Sequence, residues 1–135
     1  MSRALLRCAR RWLYAVVGIA LLAACGNSRQ AAITPQRWND LVVHVQTQPD
    51  PPQPGANEVL VILAAPRGVP TYDCIVSLRT LDSDDWVQAI QDGHSGVYRR
   101  VVGLDRAQRS TLQVRIVRRD EQTVLRFPAL PAPNG

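Results

Sequence analysis

The sequence predicts an all-β protein, built as a single antiparallel β-sandwich of about seven strands. Between residues 41 and 127, apolar residues recur at every second position, which is the period of a strand and not of a helix. Turn-forming Gly, Pro, Asp and Ser clusters interrupt these runs about every 8–12 residues. Residues 48–55 contain four prolines, which neither a helix nor a central strand accommodates. This pattern is typical of sandwiches of the immunoglobulin-like type, although the Cys…Trp…Cys core of antibody domains is absent.

Each predicted strand is bounded by one of these turn signals. The proline-rich loop 48–55 follows the first strand, and residues 66–70 follow the second. Polar turns at 82–85 and 92–96 bound the fourth strand. The predicted strands are 41–46, 59–63, 74–78, 86–90, 97–104, 112–116 and 124–127.

The N-terminal segment has the layout of a bacterial lipoprotein signal. Four arginines are followed by an apolar run over residues 12–23, which is shorter than the roughly 20 residues of a membrane-spanning helix. The run ends in Leu22-Ala-Ala-Cys25, which resembles a lipobox. We therefore expect cleavage between Ala24 and Cys25 and acylation of the Cys25 thiol, which would attach the chain to a bilayer. An uncleaved anchor is the alternative interpretation.

This assignment divides the chain into four parts. We expect a signal peptide at 1–24, the acylated cysteine and a polar tether at 25–37, the sandwich at 38–128 and a loose tail at 129–135. Gly26 and Asn27 carry no obvious inner-membrane retention signal. The expected location is the cell envelope, at the periplasmic face of the outer membrane in a bacterium that has one.

Removal of the predicted leader also changes the charge and the cysteine count. The net charge of +5 falls to +1, because four arginines and no acid precede Cys25. The alkaline character is therefore a property of the leader, and we expect no nucleic-acid partner. Cys74 remains as a lone thiol in phase with Val76 and Leu78, which predicts a core position and no internal disulfide.

Several short motifs of the sandwich region resemble the YtkA/FixH-like group of small bacterial envelope domains. The similarity covers about residues 38–128 and includes Pro-Gly-Ala-Asn followed by alternating apolar residues at 54–63, Arg-Gly-Val-Pro at 67–70 and Gly-Val-Tyr-Arg at 96–99. The resemblance implies an immunoglobulin-like envelope domain, and members of the group occur near copper and oxidase functions. However, the single methionine is Met1, so the soft ligands that suit Cu(I) are missing from the predicted mature chain.

Few side chains suggest a site. Trp86 is most simply a cap on one edge of the core. With Asp84 and Asp85 before it, it is also our candidate for partner binding, since an exposed tryptophan can anchor an interface. His44 and His94 stand alone and are expected at the surface. We predict no metal site, no cofactor and no catalytic constellation.

The function expected from the sequence is that of a membrane-anchored envelope lipoprotein acting as a non-catalytic binding or accessory module. Its expected partners are the lipid bilayer, through acylated Cys25, and an envelope protein. The alternative is a periplasmic copper-handling or oxidase-assembly accessory protein, which the family resemblance favours and the missing methionines oppose. An enzyme is the remaining possibility, which would require a polar cleft assembled in space.

Overall fold

The computed structural model describes residues 33–80, 84–105 and 111–129. The predicted signal peptide, its cleavage site at Ala24 and Cys25, most of the tether and residues 130–135 of the tail lie outside the described residues. Asp82 of the predicted polar turn lies outside them as well.

The described chain folds into two antiparallel sheets, which confirms the predicted all-β sandwich of immunoglobulin-like type. Alternation of apolar and polar residues directs one set of side chains between the sheets and the other set outward. The strands are β1 (Gln36–Trp38), β2 (Leu41–Gln48), β3 (Gly55–Ala65), β4 (Val69–Pro70), β5 (Ile75–Arg79), β6 (Val87–Gln88), β7 (Ile90–Gln91), β8 (Val97–Leu104), β9 (Thr111–Arg118) and β10 (Glu121–Pro128).

One sheet has six strands and the other has four. The six-stranded sheet runs β1-β2-β3-β8-β7, with the short β4 paired to the end of β3. The four-stranded sheet runs β10-β9-β5-β6. A short 3-10 turn at Pro66–Gly68 separates β3 from β4.

The described residues form ten strands where about seven were predicted: β1 and β4 were not predicted, and the segment 86–90 forms two strands. A single strand was predicted there, and this prediction is wrong. Val87–Gln88 pairs with β5 in the four-stranded sheet, whereas Ile90–Gln91 pairs with β8 in the other sheet. At the crossing point the Ala89 N–H donates to the Val76 carbonyl over 2.8 Å. Apolar periodicity shows which residues face the core but not which sheet supplies their main-chain hydrogen-bond partners. The sequence therefore did not reveal that the chain changes sheets at Ala89, which we call the sheet switch.

The core lies between the sheets and is aliphatic, with two aromatic side chains. Phe127 is fully buried and Tyr98 is 1 % exposed. Burying a side chain of this size contributes about 1.5–3 kcal/mol to the free energy of unfolding. The fully enclosed aliphatic residues are Leu41, Val43, Val59, Val61, Leu63, Val76, Leu78, Leu112, Val114 and Ile116.

Two local contacts fix the chain near the starts of β3 and β8. Asn57 is 1 % exposed, and its side chain accepts from the Gln53 N–H and donates to the Gln53 carbonyl over 3.0 and 2.6 Å, which fixes the proline-rich loop. Gly96 lies so close to β3 that a Cβ would stand 2.6 Å from the Leu63 carbonyl oxygen. Its φ of +73° also favours glycine, so β8 begins where only glycine fits.

Side chains of β1 and of the turn after it bond to β10 along one side of the sandwich. Gln36 donates to the Arg126 carbonyl of β10 over 2.6 Å. Asn39, in the turn after β1, donates to the Glu121 carboxylate over 2.5 Å. These bonds join the edge of the six-stranded sheet to the edge of the four-stranded sheet. Within the described residues, no helix is both long enough and apolar enough to cross a membrane.

Candidate functional site

Trp86, the tryptophan of the predicted partner site, lies on the outer face of the four-stranded sheet between two arginines. The pairing of β6 with β5 places it beside Arg79, whose guanidinium carbon is 4.4 Å from the ring centroid. The guanidinium carbon of Arg115, on β9, is 4.8 Å from the same centroid. Each cation–π contact contributes about 0.5–1 kcal/mol at a site of this exposure. Trp86 is partly buried, so it forms part of this face while keeping some surface in contact with solvent.

The tryptophan and the arginines form a layer over two polar residues of the sheet. Ser77 and Gln113 alternate with core positions and therefore lie on the outer side, yet they are 4 % and 2 % exposed. Gln113 accepts from the Arg79 Nε over 3.0 Å. The Arg115 Nε is buried and has no hydrogen-bond partner among the described residues. We name Arg79, Trp86, Arg115 and Arg126 the arginine–tryptophan face.

The two acids of the predicted partner site have different environments. Asp84 is partly buried and accepts from the Thr80 hydroxyl over 3.0 Å, so it stabilises the connection into β6. Asp85 is exposed. The assignment of Trp86, Asp84 and Asp85 to partner binding remains a prediction.

A second candidate surface lies on the opposite, outer side of the six-stranded sheet. Ile90 of β7 and Val101 of β8 are 69 % and 61 % exposed, the highest values among the exposed large hydrophobic residues of the described chain. Both line a shallow concavity of about 600 Å³. Its polar wall contains Arg99, which bonds Asp92 over 2.9 Å and lies 3.9 Å from Glu58. We name Ile90, Val101, Arg99, Asp92 and Glu58 the aliphatic face.

The aliphatic face adjoins an open strand edge. β7 pairs with β8 only at Tyr98 and Arg99, and no other described strand pairs with β8 on that side. Residues 100–104 of β8 therefore present main-chain groups at the edge. Arg100 alternates with Arg99 and Val101 and so points to the inner side of the sheet, and no described carboxylate pairs with it. A charged residue directed inward at an edge disfavours indiscriminate strand pairing.

Cys74 lies at the core position that its alternation predicts and is 8 % exposed. Burial, together with the nearby carboxylate of Asp73, raises the pKa of the Cys74 thiol to about 11. Burial likewise raises the pKa of Tyr98 to about 12, and its hydroxyl donates to the Thr71 carbonyl over 3.4 Å. Arg118 bonds Asp73 and Asp40 beside this pair, over 3.1 and 3.2 Å. A thiol protonated near neutral pH is a poor nucleophile and a poor metal ligand.

The histidines lie apart from each other. His44 is exposed on the outer side of β2, and His94 stacks edge-on against Tyr72 with 4.7 Å between ring centroids. In the described part of the chain, no group of three His, Cys, Asp or Glu side chains is placed to hold a metal ion. The copper-handling hypothesis stays a prediction.

Sequence reasoning did not single out Ile90, Val101, Arg79 or Arg115 as site residues. Their roles depend on strand register: Arg79 and Arg115 reach Trp86 only because β5 lies between β6 and β9. The exposure of Ile90 follows from the sheet switch at Ala89. The segments that form β5, β9 and β10 contain more arginines than acids. This excess indicates a shared site only once these strands are known to be neighbours.

Comparison with known proteins adds no relative, since the chain matches no protein-family model, no curated protein and no solved structure. The resemblance to the YtkA/FixH-like group therefore remains a sequence-based expectation.

Proposed function

We propose that this chain is an envelope lipoprotein, attached to a bilayer by acylated Cys25, whose β-sandwich is a non-catalytic module that binds an extended segment of an envelope protein. The anchoring part of the proposal rests on the Leu-Ala-Ala-Cys sequence at 22–25. The binding part rests on the aliphatic face and the open edge of β8.

The observation that carries the binding proposal is the exposure of Ile90 and Val101 beside β8 main chain that no described strand pairs. Large aliphatic side chains exposed together and bordered by charged residues are typical of protein interaction sites. An extended segment can add to a free strand edge through main-chain hydrogen bonds while its side chains contact the neighbouring surface. Here the edge is residues 100–104 of β8, and the concavity that Ile90 and Val101 line would receive the apolar side chains.

Arg100 adds a criterion for the partner. Its guanidinium points to the inner side at the edge, so an entirely apolar segment would cover an unpaired charge, which costs free energy. A segment with an Asp or Glu opposite Arg100 would pair with it. Attraction for one partner and a penalty for others together give specificity.

Site-directed photo-crosslinking in intact membranes tests the binding proposal. A photoreactive residue at position 90 should capture one protein, and peptide mapping should place the crosslink in an extended segment that carries an acid. Val101→Asp should abolish this product, since it puts a carboxylate into the apolar contact.

The matched control is Val69→Asp, because Val69 is 56 % exposed but lies on β4. This variant should retain the product. Equal loss in both variants, or a product that persists in Val101→Asp, would refute the binding proposal.

The anchor is tested separately with Cys25→Ser. The parent protein should incorporate radiolabelled palmitate and sediment with membranes, and the variant should do neither. A variant that keeps the mature mass and still fractionates with membranes would overturn the lipoprotein assignment.

A further inference from the structure

We propose that the segment bound at the aliphatic face places an aromatic side chain over Gly103 of β8, in the part of the edge that the sheet switch leaves open. This inference rests on the proposed function, because it specifies which extended segments the edge of β8 accepts.

The first argument is the register of β7 on β8. Ile90 pairs with Arg99, and the same register continued without a break would bring the chain past Val101 and Gly103, two and four residues further along β8. Val87–Gln88 pairs instead with β5 of the other sheet. No described strand therefore lies beside Val101 and Gly103 at this edge, although the antiparallel sheet is already formed next to them.

The second argument is the direction of the main-chain groups at the open edge. The Val97 carbonyl accepts from the Asp92 N–H on the β7 side of the strand, over 2.8 Å. Main-chain groups alternate in direction along a strand, so those of Val101 and Gly103, which are in phase with Val97, point away from β3. An added segment would meet the N–H and C=O groups of both residues, as strand addition requires.

The third argument is the presence of glycine at position 103. Gly103 lies within β8, its φ is not positive, and a Cβ there would meet no atom of the described residues within 4 Å. Neither backbone conformation nor crowding among the described residues therefore requires a glycine. Glycine weakens the interior of a strand, and it often marks a place where a ligand or a second backbone approaches closely. We attribute Gly103 to contact with the bound segment.

The surroundings of Gly103 favour an aromatic ring as the contact. Gly103 and Val101 share the outer side of β8, and the residue paired with Gly103 on β3 is Ala56, which is exposed. Two small residues side by side leave a low area of the surface beside the Val101 side chain. An aromatic side chain on an adjacent strand covers a glycine of this kind and reaches its diagonal neighbours.

These positions define the sequence class of the bound segment. Side chains opposite Val101 and Gly103 lie on the outer side of the sheet, whereas the side chain opposite Arg100 lies on the inner side. An antiparallel segment therefore reads aromatic, any residue, aliphatic, acid, and a parallel segment carries the same residues in the reverse order. The acid is the residue that pairs with Arg100.

The experiment uses the full-length protein in intact membranes, with the photoreactive residue at position 90. The captured segment should contain the four-residue pattern in one of its two directions. Gly103→Leu occupies the space of the ring and should reduce the crosslinked product at least several-fold. His44→Leu is the matched control, because it adds the same side chain at an exposed position of the same sheet on β2, and it should retain the product.

A second change assigns the loss to the aromatic contact. Replacing the aromatic residue of the captured segment by alanine should lower the yield several-fold with the parent protein and have little further effect with Gly103→Leu, because the two changes remove the same contact. Gly103→Ala adds only a methyl group and should reduce the product less than Gly103→Leu. The far-ultraviolet circular dichroism of each variant reports that the sandwich is intact.

The outcomes separate this inference from the proposed function. A product that persists in Gly103→Leu, or that maps to a segment without an aromatic residue, would overturn the inference and leave the proposed function in place. Equal losses in Gly103→Leu and His44→Leu would overturn it as well, since the effect would not belong to the β8 edge. If position 90 captures no protein in the parent, the proposed function and this inference are both wrong.

Discussion

The two outer faces of the sandwich differ in how their charges and their apolar groups are arranged. On the four-stranded sheet Arg79 and Arg115 stack on Trp86, which follows Asp84 and Asp85 in the chain. On the six-stranded sheet Arg99 is paired with Asp92 and approached by Glu58, while Ile90 and Val101 stand in solvent. One face therefore has arginines stacked on a partly buried aromatic ring, and the other has paired charges beside exposed aliphatic groups.

This difference indicates two kinds of contact. Contacts between the arginine–tryptophan face and charged groups weaken as salt rises, because mobile ions screen exposed charges. An aliphatic face beside a strand edge gains free energy by excluding water and by completing main-chain hydrogen bonds. Four experiments would weaken or sharpen the distinction.

The largest effect is expected from the core that both faces share. Phe127→Ala should lower the free energy of unfolding by about 3–5 kcal/mol, because a fully buried ring leaves a cavity. Urea denaturation followed by circular dichroism measures this loss. Val124→Ala on the same strand is 45 % exposed and should stay within about 0.5 kcal/mol of the parent. If Phe127→Ala lowered the free energy of unfolding as little as Val124→Ala, the two faces would not depend on one core.

Alkaline pH should lower the free energy of unfolding by titrating two buried groups, the Cys74 thiol and the Tyr98 hydroxyl. Cys74 keeps its proton to about pH 11 when folded, whereas the unfolded chain releases it near its ordinary value of 9.0. Between these values the unfolded state binds fewer protons, so the free energy of unfolding falls as pH rises, by about 3 kcal/mol in total. Tyr98, with its pKa raised to about 12, adds to the decline above pH 10.

Cys74→Ala should remove the part of this slope that begins near pH 9 and leave the part due to Tyr98. Urea denaturation at a series of pH values measures both slopes. Identical slopes in the parent and the variant would show that folding does not raise the pKa of the Cys74 thiol.

The two faces should respond differently to loss of their most prominent side chains. Trp86→Ala removes two cation–π contacts and uncovers Ser77 and Gln113, so it should cost about 1–2 kcal/mol of unfolding free energy. Ile90→Ala removes a side chain that is 69 % exposed and should cost less than about 0.5 kcal/mol. Thermal denaturation of both variants compares them directly. A cost for Ile90→Ala that matches Trp86→Ala would mean that Ile90 serves the fold.

The smallest effect is expected from the ion pairs of the aliphatic face. Arg99→Gln breaks the pairing with Asp92, but both side chains are about half exposed, so the loss should be no more than about 0.5 kcal/mol. That loss should shrink in 1 M salt, where exposed charges are screened. A larger or salt-independent cost, measured by urea denaturation, would indicate a role for Arg99 in packing.

Much of the fold could be predicted because period-two alternation survives from Leu41 to Phe127, and each turn carries its own Gly, Pro or Asp signal. The inward position of Cys74 followed from the same alternation. The sheet switch at Ala89 did not, because it depends on which neighbouring strand offers a carbonyl group. The candidate sites were harder still: Trp86 could be chosen as a tryptophan in a polar turn, but the arginines that hold it come from strands 7 and 29 residues away.

The switch at Ala89 links the two faces through a very short piece of backbone. Trp86 and Ile90 are four residues apart, yet each belongs to a different sheet and faces a different side of the molecule. A shift of this segment along its axis would move both side chains together. If an occupant of one face displaces the segment, thermodynamic linkage requires that the affinity of the other face change by the same factor in both directions. Through this segment, binding at one surface would change the affinity of the other.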